Sequence, residues 1–172
     1  LQHELTKVSN KKRLWIDQFT GDFGVYKDTH INMYTLGVLI GDGSFRTGNV
    51  TVSLPDQECL DAFMESLHED DDLHYKGGVD YTIVRREYDW QVPSETLKAI
   101  RAWGLDKLYS HEKFLPEFVF TLSRKQREDL LHGLLNSDGE VDRSGGLYYH
   151  TTSKHLADDV RKLVEGLGGI VS

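Results

Sequence analysis

The chain has 172 residues and a mass of 19.7 kDa, which suits one mid-sized domain or two small halves around one core. Hydrophobic residues make up 38% and charged residues 28%; no apolar run is long enough to cross a bilayer, and the single cysteine, Cys59, excludes an intrachain disulfide framework and CxxC zinc clusters. The net charge of −8 argues against a generic nucleic-acid binder, which usually carries a basic excess, and the opening LQHELTKVSNKKRL lacks a signal-peptide core, so an intracellular setting is expected.

Residues 1–31 read as a connector or small appended element. Residues 32–43 carry helical apolar spacing and end at Asp42-Gly43. Residues 44–54 read as a hairpin turning at Thr47-Gly48-Asn49, with Val50, Val52 and Leu54 alternating against Thr51 and Ser53. Pro55-Asp56 opens a second helix to about residue 68. The acidic run Glu69 to Asp72 reads as a solvated loop. A second hairpin is expected over 73–88 around Gly77-Gly78, with strand character at Tyr81 to Val84. Pro93-Ser94-Glu95 starts a third helix through about Trp103, which Trp90 and Trp103 are expected to pack. Ser123 is an N-cap for a helix to Asn136; strands follow at 140–143 and 147–152, then a helix over 153–167.

The chain repeats itself. MYTLGVLIGDGS at 33–44 aligns with DLLHGLLNSDGE at 129–140 at an offset of 96 residues, matching Gly37 with Gly133, Leu39 with Leu135, Asp42 with Asp138 and Gly43 with Gly139. The same offset pairs Leu60 with Leu156, Met64 with Val160 and Leu67 with Leu163. The expected architecture is α+β, with a first repeat plus linker over 32–122 and a second over 123–172. On this offset Ser172 corresponds to Lys76, so the second repeat is expected to be incomplete.

Gly37 and Gly41 are four apart on one helix, and Gly133 and Ser137 on the other. Small residues at this spacing let two helix backbones approach closely. The two C-terminal ends would then bring Asp42 and Asp138 together, where carboxylates repel each other near negative helix ends and a divalent cation relieves the repulsion. The backbone carbonyls of Gly41 and Ser137 could complete the protein's share of ligands. The alternative is that each Asp-Gly merely caps its helix through a glycine turn.

YTLGVLIGDGSF and LLHGLLNSDGEV resemble the two dodecapeptide motifs of LAGLIDADG homing endonucleases, especially those carried inside inteins. SHEKFLP at 110–116 resembles that family's lysine block, and TSKHLADDVRKLVEGLGG at 152–169 resembles its helix after the second repeat's strands. The resemblance implies a saddle-shaped pair of αββαββα repeats, a monomer with pseudo-two-fold symmetry that cuts double-stranded DNA. It implies divalent metal, Mg²⁺ or Mn²⁺, on Asp42 and Asp138, and a catalytic lysine, for which Lys113 is the candidate. It also implies a splicing domain or host protein flanking the chain. With Leu1 first and no terminal His-Asn, the sequence is not expected to supply the splicing junction residues itself. Two other readings stay open: a non-cutting nucleic-acid binder of the same fold, as in maturases or regulators, and a structural insertion.

A β-ribbon fits the major groove, where base edges are legible. In the resembled family the hairpins enter it. The candidates are Arg46, Asn49, Thr51 and Ser53 from the first hairpin; His74, Lys76, Arg85 and Arg86 from the second; and Arg143, Tyr148 and His150 from the third. A one-residue slip in strand register would swap their faces.

Overall fold

The computed structural model describes residues 21–87 and 92–172. Residues 1–20 of the expected connector, and Trp90 with its expected packing role, lie outside the described residues. Helix α1, Met33–Asp42, begins at Asn32, whose side chain accepts the Tyr34 N–H. Met33, Leu36, Val38, Leu39 and Ile40 are all buried, so this helix is apolar around most of its circumference and lies inside the protein. Strands β1, Gly43–Ser44, and β2, Val50–Ser53, follow as the first hairpin. Helix α2, Gln57–Ser66, is capped by Asp56. Strands β3, Asp71–Gly77, and β4, Asp80–Arg85, form the second hairpin, and helix α3, Glu95–Ala102, is capped by Ser94. After two short 3₁₀ turns, helix α4, Arg124–Asp138, starts at Ser123. Strands β5, Gly139–Val141, and β6, Leu147–Tyr149, then lead to helix α5, Lys154–Gly166, capped by Ser153.

The result is α+β with antiparallel sheets. The first sheet runs β1-β2-β4-β3, and β5-β6 forms a second, two-stranded sheet. In the first sheet Val50, Val52, Ile83 and Leu73 share the face turned to α1 and α3, while Thr51, Ser53, Thr82 and His74 share the other. Strand alternation fixes this division. Trp103 packs a ring centroid 5.1 Å from Phe118. Among the described residues no helix is long and apolar enough to cross a membrane.

Two expectations need correction. The acidic run is not all solvated loop: Asp71 opens β3 with no exposed surface, and its carboxylate accepts the N–H groups of Glu95 at 2.7 Å and Thr96 at 2.8 Å. Those are orphan donors at the first turn of α3, so a strand aspartate caps a helix distant in sequence. The constant offset also fails after the hairpin turn. Gly43 pairs with Val52, but Gly139 pairs with Tyr149, so the second hairpin is one residue longer. The caps Asp56 and Ser153 carry the same extra residue. Val160 therefore matches Phe63, which is wholly buried, and not Met64, which is 45% exposed. A period of 3.6 tolerates such a shift without losing its apolar pattern.

Candidate active site

Helices α1 and α4 pack along their lengths, with glycine at the closest approach. A Cβ placed on Gly37 would lie 2.3 Å from the Leu130 carbonyl oxygen and 2.9 Å from Gly133 Cα; one on Gly133 would lie 2.2 Å from the Tyr34 carbonyl oxygen and 3.0 Å from Gly37 Cα. The obstacles are backbone atoms, which cannot swing aside. Further along, a Cβ on Gly41 would meet Ser137 Oγ at 1.9 Å, so the helices still touch at their C-terminal ends. The next residues are Asp42 and Asp138. The sequence expected this juxtaposition, and the packing of small residues produces it.

The helix ends are alike. Gly43 has φ −84° and Gly139 φ −86°, and their N–H groups donate to the carbonyls of Leu39 and Leu135. Neither is the left-handed glycine turn of an ordinary C-cap. The glycine is required instead because a Cβ would lie 2.2 Å from the Leu39 carbonyl oxygen, or 2.3 Å from that of Leu135.

Burial raises the Asp42 carboxyl, and the Asp138 charge raises it further, against the pull of Lys113. Burial likewise raises Asp138, with Lys113 and His150 pulling down. Lys113 is only 4% exposed. Its ammonium donates to the carbonyl oxygens of Ile40 at 2.7 Å, Gly41 at 3.0 Å and Gly43 at 2.8 Å. Three acceptors match the three protons of an ammonium. Burial brings the group down to about 8, while Asp138 and Asp42 pull the other way. The lysine backbone is held in turn: Ser153 Oγ donates to the Lys113 carbonyl at 2.7 Å, and Leu115 N–H donates to Asp159 at 2.9 Å. The sequence reading missed Ser153 and Asp159, which fall within the expected last helix and were given no role there.

A cavity of about 410 Å³ opens here, lined by Gly41, Lys113, Asp138 and His150 among others. Tyr149, also unremarked in the sequence, carries a buried hydroxyl with no hydrogen-bond partner among the described residues. Burial drives that phenol up, and Asp138 and Asp42 reinforce the shift.

The donor set suits a hard divalent cation. A carboxylate on the cavity, Asp138, with the Asp42 carboxylate close enough to feel its charge, fits Mg²⁺, which binds few protein oxygens and keeps several waters. Both carboxylates are partly buried, and the Asp138 charge acts on Asp42, a repulsion that a cation would relieve. Of the two backbone carbonyls expected as further ligands, that of Gly41 is engaged by Lys113; the Ser137 side chain, which was not part of that expectation, turns its hydroxyl back to the carbonyls of Gly133 and Leu134. Among the described residues no group of three or more His, Cys, Asp or Glu gathers to hold a metal.

The candidate groove residues are divided by register. Thr51 and Ser53 lie on the face opposite the helices, and Lys76 is exposed at the β3 bulge. Arg85 shares the helix-covered face and sits 3.5 Å from Glu95, while Arg86 reaches the Asp71 carbonyl. Arg85 therefore does not join Thr51, and Arg86 lies one residue beyond the end of β4. Arg46 lies over the Tyr109 ring at 4.3 Å, and Asn49 lines a separate cavity with Arg101. Tyr148 and His150 share one face of β5-β6 with Glu140, whose carboxylate is 3.0 Å from His150. Arg143 is exposed in a turn organised by Asp142.

Residues 125–172 match the LAGLIDADG-like domain family. The chain is also 29% identical over 136 residues to a protein of Mycobacterium intracellulare named replicative DNA helicase DnaB. That match takes in 78% of this chain but only 19% of the relative. The second motif ending α4 and the strands and helix after it all lie inside the stretch, residues 125–172, that is similar to the LAGLIDADG-like domain.

Proposed function

We propose that the chain is a site-specific endonuclease domain that hydrolyses phosphodiester bonds in double-stranded DNA with Mg²⁺ or Mn²⁺, using Asp42 and Asp138 as the metal-holding pair. The observation that carries this reading is the meeting of the two carboxylates at the ends of two glycine-packed helices, with a buried lysine at the same ends. A divalent cation bound there would supply Lewis-acid polarisation of the phosphate and a more acidic water. The chain's own residues do the rest. Asp42 and Asp138 approach the scissile region from the two units, one for each strand. Lys113, fixed by three carbonyls and by Ser153, holds positive charge where negative charge develops on the phosphate. Thr51, Ser53, Lys76, Arg143, Tyr148 and His150 supply the groove-facing surface.

The two units, 32–122 and 123–172, act on this reading as pseudo-symmetric halves of one monomer in an intracellular protein. A match confined to 19% of a much longer relative supports a domain inserted in a host, as in an intein. The acidic Asp72 and Asp80 on or beside the groove-facing sheet favour a second reading, binding without cutting. Plasmid cleavage with Mg²⁺ separates them. The first predicts cutting that Asp138→Asn abolishes; the second predicts binding with no cutting by the parent.

A further inference from the structure

The stretch Lys113-Phe114-Leu115-Pro116 leaves a 3₁₀ turn at Lys113, whose backbone is extended at φ −61° and ψ 147°. Pro116 disfavours helix at the residue before it, so these peptide groups have no ladder of their own to join. The first two turns of α5 take them up one residue at a time. Ser153 Oγ donates to the Lys113 carbonyl at 2.7 Å, the His155 ring stacks on Phe114 with centroids 5.6 Å apart, and Asp159 accepts the Leu115 N–H at 2.9 Å. At its far end the Lys113 ammonium is seated on carbonyls at the close of α1. The lysine is thus held twice, by the second unit at its backbone and by the first at its ammonium.

Ser153 is needed for the helix itself, since its hydroxyl also accepts the Leu156 N–H as the cap of α5. Asp159 is not. It is 9% exposed and lies on the side of α5 that buries Leu156, Val160 and Leu163, where burial disfavours a carboxylate. With the extra hairpin residue counted, its match in the first unit is Ala62 of α2, so this place on the helix does without an acid. The His155 ring nitrogen is 3.7 Å from the Asp159 carboxylate, beyond hydrogen-bond range. What Asp159 adds is an acceptor aimed at the N–H two residues beyond Lys113.

We propose that Asp159 is a positioning residue for Lys113: by holding the Leu115 N–H it fixes the loop that delivers the lysine to the end of α1. The inference rests on the endonuclease reading above for what the lysine does there, and on the loop geometry for how it is held. A misplacement of about 1 Å can cost about 100-fold in rate, so a bond two residues from the lysine matters to it.

The test is acetylation of the full chain with acetic anhydride, read lysine by lysine by peptide mass spectrometry, in the parent, Asp159→Asn and Asp159→Ala. Hydrogen exchange of the α4 amides and plasmid cutting with Mg²⁺ accompany it. Asn keeps an acceptor oxygen and Ala removes it. Buried Lys113 is expected to be protected relative to exposed Lys76 in the parent and in Asp159→Asn. It is expected to lose that protection in Asp159→Ala while the α4 amides exchange as in the parent. Cutting should fall by up to about 100-fold in Asp159→Ala and recover in Asp159→Asn. Asp159→Leu, which fills the site without an acceptor, makes the same comparison if Ala loosens the helix. Equal protection of Lys113 in all variants overturns the inference, as does unchanged cutting where the parent cuts. Faster exchange of the α4 amides in both Ala and Leu also overturns it, marking Asp159 as structural only. Loss of protection beside a parent that never cuts overturns the endonuclease reading and leaves Asp159 as the residue that seats the lysine.

Discussion

Lys113 carries opposing demands in one side chain. Burial disfavours its charge, yet three carbonyl oxygens at the end of α1 are arranged for an ammonium. With its folded value near 8 and an unfolded value near 10.4, the folded protein binds fewer protons between those limits. Stability contributed by this group is therefore greatest above the unfolded value and is lost as pH falls through about 8. Thermal melting from pH 7.5 to 10.5 should show this upward slope in the parent and lose it in Lys113→Met. The aspartates behave oppositely. Their raised values mean that the folded state binds protons more readily, so stability falls as pH rises from the ordinary carboxylate range through the folded values. Removing one charge without metal should stabilise: Asp42→Asn is expected to raise metal-free stability by about 0.5 kcal/mol or less, the scale of a half-exposed like-charge contact. Chemical denaturation in chelator reads that sign. Asp42, Asp138 and Lys113 were legible in sequence because each sits in a patterned block. Tyr149 was not, since a strand tyrosine looks the same whether its hydroxyl has a partner or lacks one.

At the scale of elements, the α1–α4 contact decides whether the site exists. Gly37→Leu or Gly133→Leu forces a side chain into the facing helix backbone. Overpacking usually costs about 1–3 kcal/mol, and here the obstacle is backbone, so the cost should reach or exceed the upper end. Either variant should unfold early in urea. Helix starts were legible because Asn32, Asp56, Ser94, Ser123 and Ser153 all cap by side-chain acceptance. The role of Asp71 was hidden, because a run of four acidic residues gives no sign that one of them is buried against a helix start some two dozen residues later. Asp71→Ala should cost about 1–3 kcal/mol by stranding the Glu95 and Thr96 donors. The pairing of Leu60, Met64 and Leu67 failed for a different reason: periodicity locates a helix face but does not register a one-residue insertion in the turn before it.

Across the whole molecule, the net charge of −8 and the register of β4 limit the electrostatic grip on DNA. Arg85 is drawn to Glu95, which leaves Arg46, Lys76, Arg86 and Arg143 as the exposed cations among the groove candidates, Arg86 with one contact to the Asp71 carbonyl. Four phosphate contacts give a slope of about −4 in log affinity against log salt. Fluorescence anisotropy over a KCl series measures it, and a slope twice as steep would show that cations outside this set meet the backbone. On the endonuclease reading proposed above, so few charges put the weight of function on the paired carboxylates. The most direct measurement is Mg²⁺-dependent cutting of a plasmid carrying the uninterrupted host sequence, by the parent and by Asp42→Asn. The account predicts that the parent cuts and that Asp42→Asn binds the same DNA without cutting. Cutting by Asp42→Asn at the parent rate would contradict it.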